Sequence, residues 1–227
     1  MTIAPLVREV RRHLPTVIVV DDGSTDGTAA QAAAAGAQVQ AHPRNLGKGA
    51  AVKTGLSAAT ARGFVWALTM DGDGQHQPED IQAFLQCAEQ TGAALVIGTR
   101  MHDAHAIPWL RRLVNFWMSR LLSWRAGRVL PDSQCGFRLL FLEAWNVLRF
   151  ETDHFEIESE MLLAFLAAGH TIEFVPIRVV GKGHCSRIHP VVDMLRWFRW
   201  WWRLSRAGVQ RPVRGAGHAA ERRMLEV

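Results

Sequence analysis

The chain has 227 residues and is 48% hydrophobic, which suits one sizeable core, or one domain with a short appendage. Its formal net charge of +5 suits an anionic partner such as nucleic acid, an acidic membrane surface or a phosphorylated ligand. Three cysteines without a CxxC pair argue against a disulfide scaffold or a zinc ribbon and fit a reducing compartment. No signal peptide is visible in residues 1–14, whose apolar stretch carries charges, and no run of about 18 apolar residues could span a membrane.

Apolar runs alternate with helical stretches. Residues 16–20 (TVIVV) read as a buried strand and 29–35 as an Ala-rich helix. Residues 38–40 form a short strand, 49–62 a helix and 64–70 (FVWALTM) a second buried strand. A helix with proline at its start follows over 78–91, then a third strand at 94–99. Beyond residue 107 the expected elements are a Trp- and Arg-rich helix (107–124), helices at 139–148 and 158–168, a strand at 171–180 and a last helix at 191–206. Residues 1–206 are expected to form one domain and 207–227 a flexible tail. Continuous apolar strands alternating with helices predict an α/β fold, a mostly parallel sheet with helices on both faces.

The chemistry sits at strand ends. The first strand runs into Asp21-Asp22-Gly23-Ser24, the second into Asp71-Gly72-Asp73-Gly74-Gln75, the third into Gly98-Thr99-Arg100. In a parallel sheet these ends share one edge, where ligands bind. One Asp-Gly turn is ordinary loop chemistry; two, each with paired acids directly after a buried strand, point to a site. Asp71, Asp73 and the Gln75 carbonyl are hard oxygen ligands suited to Mg²⁺ or Mn²⁺ completed by phosphates and water. An EF-hand is excluded because His76 and Gln82 stand where it needs Gly and Glu.

The motifs VIVVDDGSTDGT, HPRNLGKGAA, MDGDGQHQPEDI, VIGTR and DSQCGFRL, in that order, resemble the family 2 glycosyltransferases of GT-A (Rossmann-like) fold. The nearest branch contains dolichyl-phosphate mannose synthase and the bacterial polyprenyl-phosphate sugar transferases. The resemblance implies transfer of a sugar from a UDP- or GDP-sugar to a polyprenyl phosphate, metal-dependent and inverting. It assigns nucleotide binding to Asp21, Asp22, Gly23, Lys48 and Asp71, and metal binding to Asp71, Asp73 and Gln75. It puts the catalytic centre at Asp73 and Arg138, and the acceptor phosphate at Arg100, Arg111, Asn115 and Arg187. Asn115 replaces the more usual Ser, and Arg187 replaces Lys in the late Ser-Lys pair. An ionised phosphate acceptor needs no general base; a glycolipid or polysaccharide hydroxyl would, and Glu156, Glu158 and Glu160 are then the candidates. A truncated relative binding nucleotide or lipid without turnover is the non-enzyme alternative.

The last helix carries Trp197, Trp200, Trp201 and Trp202. Its projection puts Arg196, Arg199, Arg203 and Arg206 on one face and Met194, Trp197, Phe198, Trp201 and Leu204 opposite. Such a helix suits a membrane interface. The expected location is therefore cytoplasmic, peripheral on the membrane, with no nucleic-acid partner, since acidic crevice loops repel a phosphate backbone. One departure stands out. The family opens with a central strand, whereas residues 1–15 resemble the helix that follows it. A sheet lacking that strand is expected to show a gap, which a truncated or misassigned start would explain.

Overall fold

A computed structural model describes residues 3–100, 109–179 and 190–206. Helix α1 (Ile3–Val10) precedes β1 (Ile18–Asp21), α2 (Thr28–Ala34), β2 (Gln38–Ala41), α3 (Lys48–Ala61) and β3 (Trp66–Thr69). A 3₁₀ turn at Pro78–Asp80 leads into α4 (Ile81–Thr91), followed by β4 (Leu95–Thr99), α5 (Trp109–Ala126) and β5 (Arg138–Phe141). The chain continues with α6 (Leu142–Val147), α7 (Ile157–Ala167), β6 (Ile172–Pro176) and α8 (Pro190–Arg206). The tail expected at 207–227 lies outside the described residues.

The strands form two sheets. β1 and β2 pair in parallel; the other four are ordered β3-β5-β4-β6. β5 is antiparallel to both β3 and β4, and β6 is parallel to β4, so β3, β4 and β6 run one way and β5 alone is reversed. β4 is buried along its whole length, as a strand covered on both faces must be. Its Leu95, Val96 and Ile97 join Phe84 of α4, Phe137 beside β5 and Phe165 of α7 in the core.

Two expectations are corrected. Residues 139–148 do not form one helix: 138–141 are β5 and only Leu142–Val147 is helical. Leu139 and Leu140 fit either periodicity, and the open ladder edges of β3 and β4 decide for strand. On α8 the apolar face is also divided differently. Trp197 is buried with its indole N–H donating to Ser159 Oγ at 2.9 Å, and Trp200 and Trp201 pack against the core. The exposed apolar strip is Met194, Leu195, Phe198 and Trp202.

The expected gap is present. Among the described residues β1 pairs only with β2, and β3 only with β5. Between β1 and β3 lies a cavity of about 720 Å³, lined by both strands and covered by α1 (Leu6, Val7) and α3 (Val52, Leu56). Val19, Val20, Ala67 and Leu68 are consequently only half-buried, although nothing in their sequence suits them to water. Fusing a five-residue Val/Ile segment ahead of Met1 should fill this slot, pairing with both free strand edges. The expected result is a Tm more than about 4 °C above that of a Gly/Ser fusion of equal length, with slower amide exchange in β1 and β3. Equal values for the two fusions would contradict it.

Candidate active site

The site is built where β1, β3 and the segment before β5 end together. After β1 the chain turns sharply, and Gly23 takes a φ of +75°; a Cβ there would meet the Asn45 amide at 2.6 Å, so no side chain fits. Asp21 Oδ1 accepts the Ser24 amide at 2.9 Å and closes the turn. Asp22 reaches the loop before α3: Oδ1 accepts the Leu46 amide at 2.8 Å and Oδ2 the Gly47 amide at 2.9 Å. His42 Nδ1 lies 2.7 Å from Asp22 and its Nε2 lies 3.0 Å from Thr54 Oγ1. Burial is the largest single influence on the Asp22 carboxyl and works to raise its pKa. The bonds from His42, Leu46 and Gly47 together outweigh burial and hold it below the usual range.

That loop delivers Lys48 at the first position of α3. Its ammonium lies 2.8 Å from Asp71 Oδ1 and 2.5 Å from Glu158 Oε1, so β3, α3 and α7 are tied at one point. Desolvation works to lower the Lys48 pKa, but the two carboxylates overcome it and raise it. For Asp71 desolvation works upward; the charges of Lys48 and His76 win and bring the carboxyl down to about 2. Gly136 packs directly on this pair: a Cβ there would lie 2.7 Å from Lys48 Nζ and 2.8 Å from Asp71 Oδ1. Thr69 Oγ1 fixes the approach by donating to the Gly136 carbonyl at 2.8 Å.

Asp73 stands two residues on, with Oδ1 accepting the Gln75 amide at 3.0 Å. Asp71 Oδ2 and Asp73 Oδ2 have no hydrogen-bond partner among the described residues. Among those residues no three His, Cys, Asp or Glu side chains form a metal-holding group. Two carboxylates are enough for Mg²⁺ or Mn²⁺ when phosphates and water complete the shell, so Asp71, Asp73 and Gln75 fit such an ion.

Other expected residues stand differently. Arg138 is buried and its guanidinium donates to the carbonyls of Cys135 (2.7 Å), Ser133 (2.9 Å) and Glu158 (2.7 Å). It clamps the 133–136 segment to α7. Arg100 is held bidentately by Asp132 at 2.7 and 2.8 Å. Asn115 is on α5, as is the backbone of Arg111; the side chain of Arg111 and all of Arg187 lie outside the described residues. Residues that sequence reasoning did not assign to the donor site are His42, Glu158 and Gly136. Glu158 had a signal, its place in an acidic run, but its pairing with Lys48 crosses 110 positions of chain.

A split, mostly one-directional α/β sheet gathers paired carboxylates, a partly buried lysine and a hard-oxygen loop at one edge, where ligands bind in open α/β sheets. A family model described as glycosyl transferase family 2 matches residues 2–147. The chain belongs to that family and is a glycosyltransferase. Undecaprenyl-phosphate mannosyltransferase of Micrococcus luteus is 31% identical over 212 residues, covering 80% of this chain and 81% of the relative. An uncharacterized protein of Methanocaldococcus jannaschii is 31% identical over 169 residues, 72% of this chain and 70% of its own. Among solved structures, Mycobacterium tuberculosis glucosyl-3-phosphoglycerate synthase with Mn²⁺, UDP and phosphoglyceric acid superposes with a TM-score of 0.69 at 21% identity. The match covers 92% of this chain and 75% of that one, and establishes the shared GT-A fold.

Two outcomes separate scaffold from site. Arg138→Met leaves three buried carbonyls without their donor and should lower unfolding free energy by about 3 kcal/mol or more in denaturant titration, whereas Asp73→Asn should leave it within about 0.5 kcal/mol. Asp71 carries a depressed carboxyl pKa, so its stabilising contribution is complete above its ordinary value of 3.8 and is lost as pH falls through about 2. The stability difference between the parent chain and Asp71→Asn should therefore hold from pH 7 to about 5 and shrink towards pH 2.

Proposed function

We propose that the chain transfers a sugar from a UDP- or GDP-sugar to a polyprenyl phosphate at a membrane surface, with Mg²⁺ or Mn²⁺. The observation carrying this is the convergence of Asp71 and Lys48 against Gly136, with Asp73 two residues along the same loop, at the sheet edge where Asp21 and Asp22 close the neighbouring turn. The acceptor follows from relatives whose names state polyprenyl or undecaprenyl phosphate.

Asp21 and Asp22 form the nucleoside end of the crevice, and Asp22 keeps the Gly47 amide and Lys48 facing it. Asp71, Asp73 and Gln75 would hold the divalent ion, whose charge stabilises the diphosphate leaving group. Lys48 keeps Asp71 ionised, so the loop offers carboxylate oxygens at all physiological pH values. Backside displacement by an ionised phosphate oxygen then needs no proton acceptor from the protein. The acids of the 156–160 run match that reading: Glu158 is paired with Lys48, and Glu160 accepts from Thr152 and the Glu151 amide.

A membrane surface is supported by exposed Leu113, Phe116, Trp117 and Trp124 on α5 and by the apolar strip of α8. No described helix is long and apolar enough to cross a membrane.

The direct test is transfer of labelled sugar from a panel of UDP- and GDP-sugars to undecaprenyl phosphate with Mn²⁺. Label entering the lipid phase, and lost at least about 100-fold in Asp73→Ala, is the expected result. A lipid product that survives mild acid would instead indicate a hydroxyl acceptor.

A further inference from the structure

A second cavity of about 720 Å³ lies between α7 and α8, apart from the donor crevice. Its floor is apolar, made by Leu163, Ala164 and Ala167 of α7 with Trp200 and Leu204 of α8. Five arginines stand around it. Arg196 is engaged by Asp193 at 3.3 Å, and Arg125 donates to the Leu204 carbonyl at 3.3 Å. Arg149, Arg199 and Arg203 meet no carboxylate among the described residues. The acids of the groove lie on the opposite wall, in the loop before α7 and its first turn. There Asp153 is taken by Lys53 and Glu160 by Thr152, leaving Glu151 and Glu156.

The three faces of α8 give this groove its orientation. Trp197, Trp200, Trp201 and Leu204 point inward; Met194, Leu195, Phe198 and Trp202 form the exposed apolar strip. At 100° per residue, Arg199, Arg203 and Arg206 fall between that strip and the groove. Arg206 stacks on Trp202 with 3.3 Å from guanidinium carbon to ring centroid, the arrangement of an interfacial pair. A helix resting its apolar strip in the acyl boundary sets its arginines at headgroup level, and the groove then opens into the headgroup layer.

We propose that this groove holds the phosphate headgroup of an anionic membrane phospholipid, gripped by Arg199 and Arg203 with Arg149 across the mouth. Arginine suits that partner because its planar fork makes paired charge-assisted bonds to phosphate oxygens. The proposal rests on the membrane-surface reading above for delivery of the lipid, and it leaves the sugar acceptor to the donor crevice.

The full chain is tested by co-sedimentation with phosphatidylcholine vesicles, with and without 30 mol% phosphatidylglycerol (a proportion of about one lipid in three, enough for a strong surface potential). Thermal shift with soluble dihexanoyl-phosphatidylglycerol reads the groove without a membrane. Arg199→Ala/Arg203→Ala is compared with Arg8→Ala/Arg12→Ala, which removes the same charge from α1 and the turn after it. Removing the groove pair should weaken binding to anionic vesicles by about 25-fold, roughly 5-fold per arginine, and abolish the short-chain shift. The α1 pair should do neither. The proposal is overturned if both pairs weaken vesicle binding equally, if the short-chain shift survives in the groove variant, or if inorganic phosphate alone reproduces it. Absence of all vesicle binding, with a short-chain shift that still depends on Arg199 and Arg203, would overturn the membrane-surface reading and sustain the headgroup site.

Discussion

The ammonium of Lys48 between Asp71 and Glu158 is the contact on which the site depends. It brings together α3, the end of β3 and α7, three elements otherwise separated in sequence. A partly buried lysine is costly to desolvate, and two carboxylates offset that cost only because each approaches within 2.8 Å. Such closeness requires Gly136, since any side chain there would drive the pair apart. The result is a carboxylate at Asp71 held ionised and fixed in direction. Preorganised charge of that kind stabilises a transition state without having to reorient during the reaction.

The segment carrying Gly136 is anchored from several sides. Arg138 gathers the carbonyls of Ser133, Cys135 and Glu158, while Asp132 takes the Arg100 guanidinium. A chain of short polar contacts runs onward from Ser119 of α5 through Ser133 and Gln134 to Ser159 of α7 and the Trp197 indole of α8. The helices that expose apolar strips are thus bonded to the same segment that closes on the donor loop. Arg138 acts on the fold as a buried clamp through these three carbonyls.

Against this tightly held half, the β1–β2 pair is loosely joined. Among the described residues no ladder connects β1 to β3, and α1 and α3 line the slot between them. Asp21 and Asp22 stand on that looser half, so they and the Asp71–Asp73 loop are held together largely by the Asp22 bonds to the Leu46 and Gly47 amides and by Lys48 itself. The same few polar contacts therefore serve the fold and the chemistry.

Much of this was legible in the residues alone. Runs such as IVVD and LVIGT are rich in β-branched apolar residues and too short for a helix, which favours strands. The placement of acids directly after them followed from chain direction, and the motif order identified the family. The strand at Arg138–Phe141 was not legible, because its leucines fit a helix as well and only the ladder edges of β3 and β4 choose. Nor were the inward turn of Trp197 and the pairing of Lys48 with Glu158, which join side chains distant in sequence. The sequence by itself determined the strands, the acidic loops and the chemistry they suit, because these depend on composition and period over a few residues. Which charges neutralise each other and which face of α8 is buried came from the packing, because both depend on distances between residues far apart along the chain.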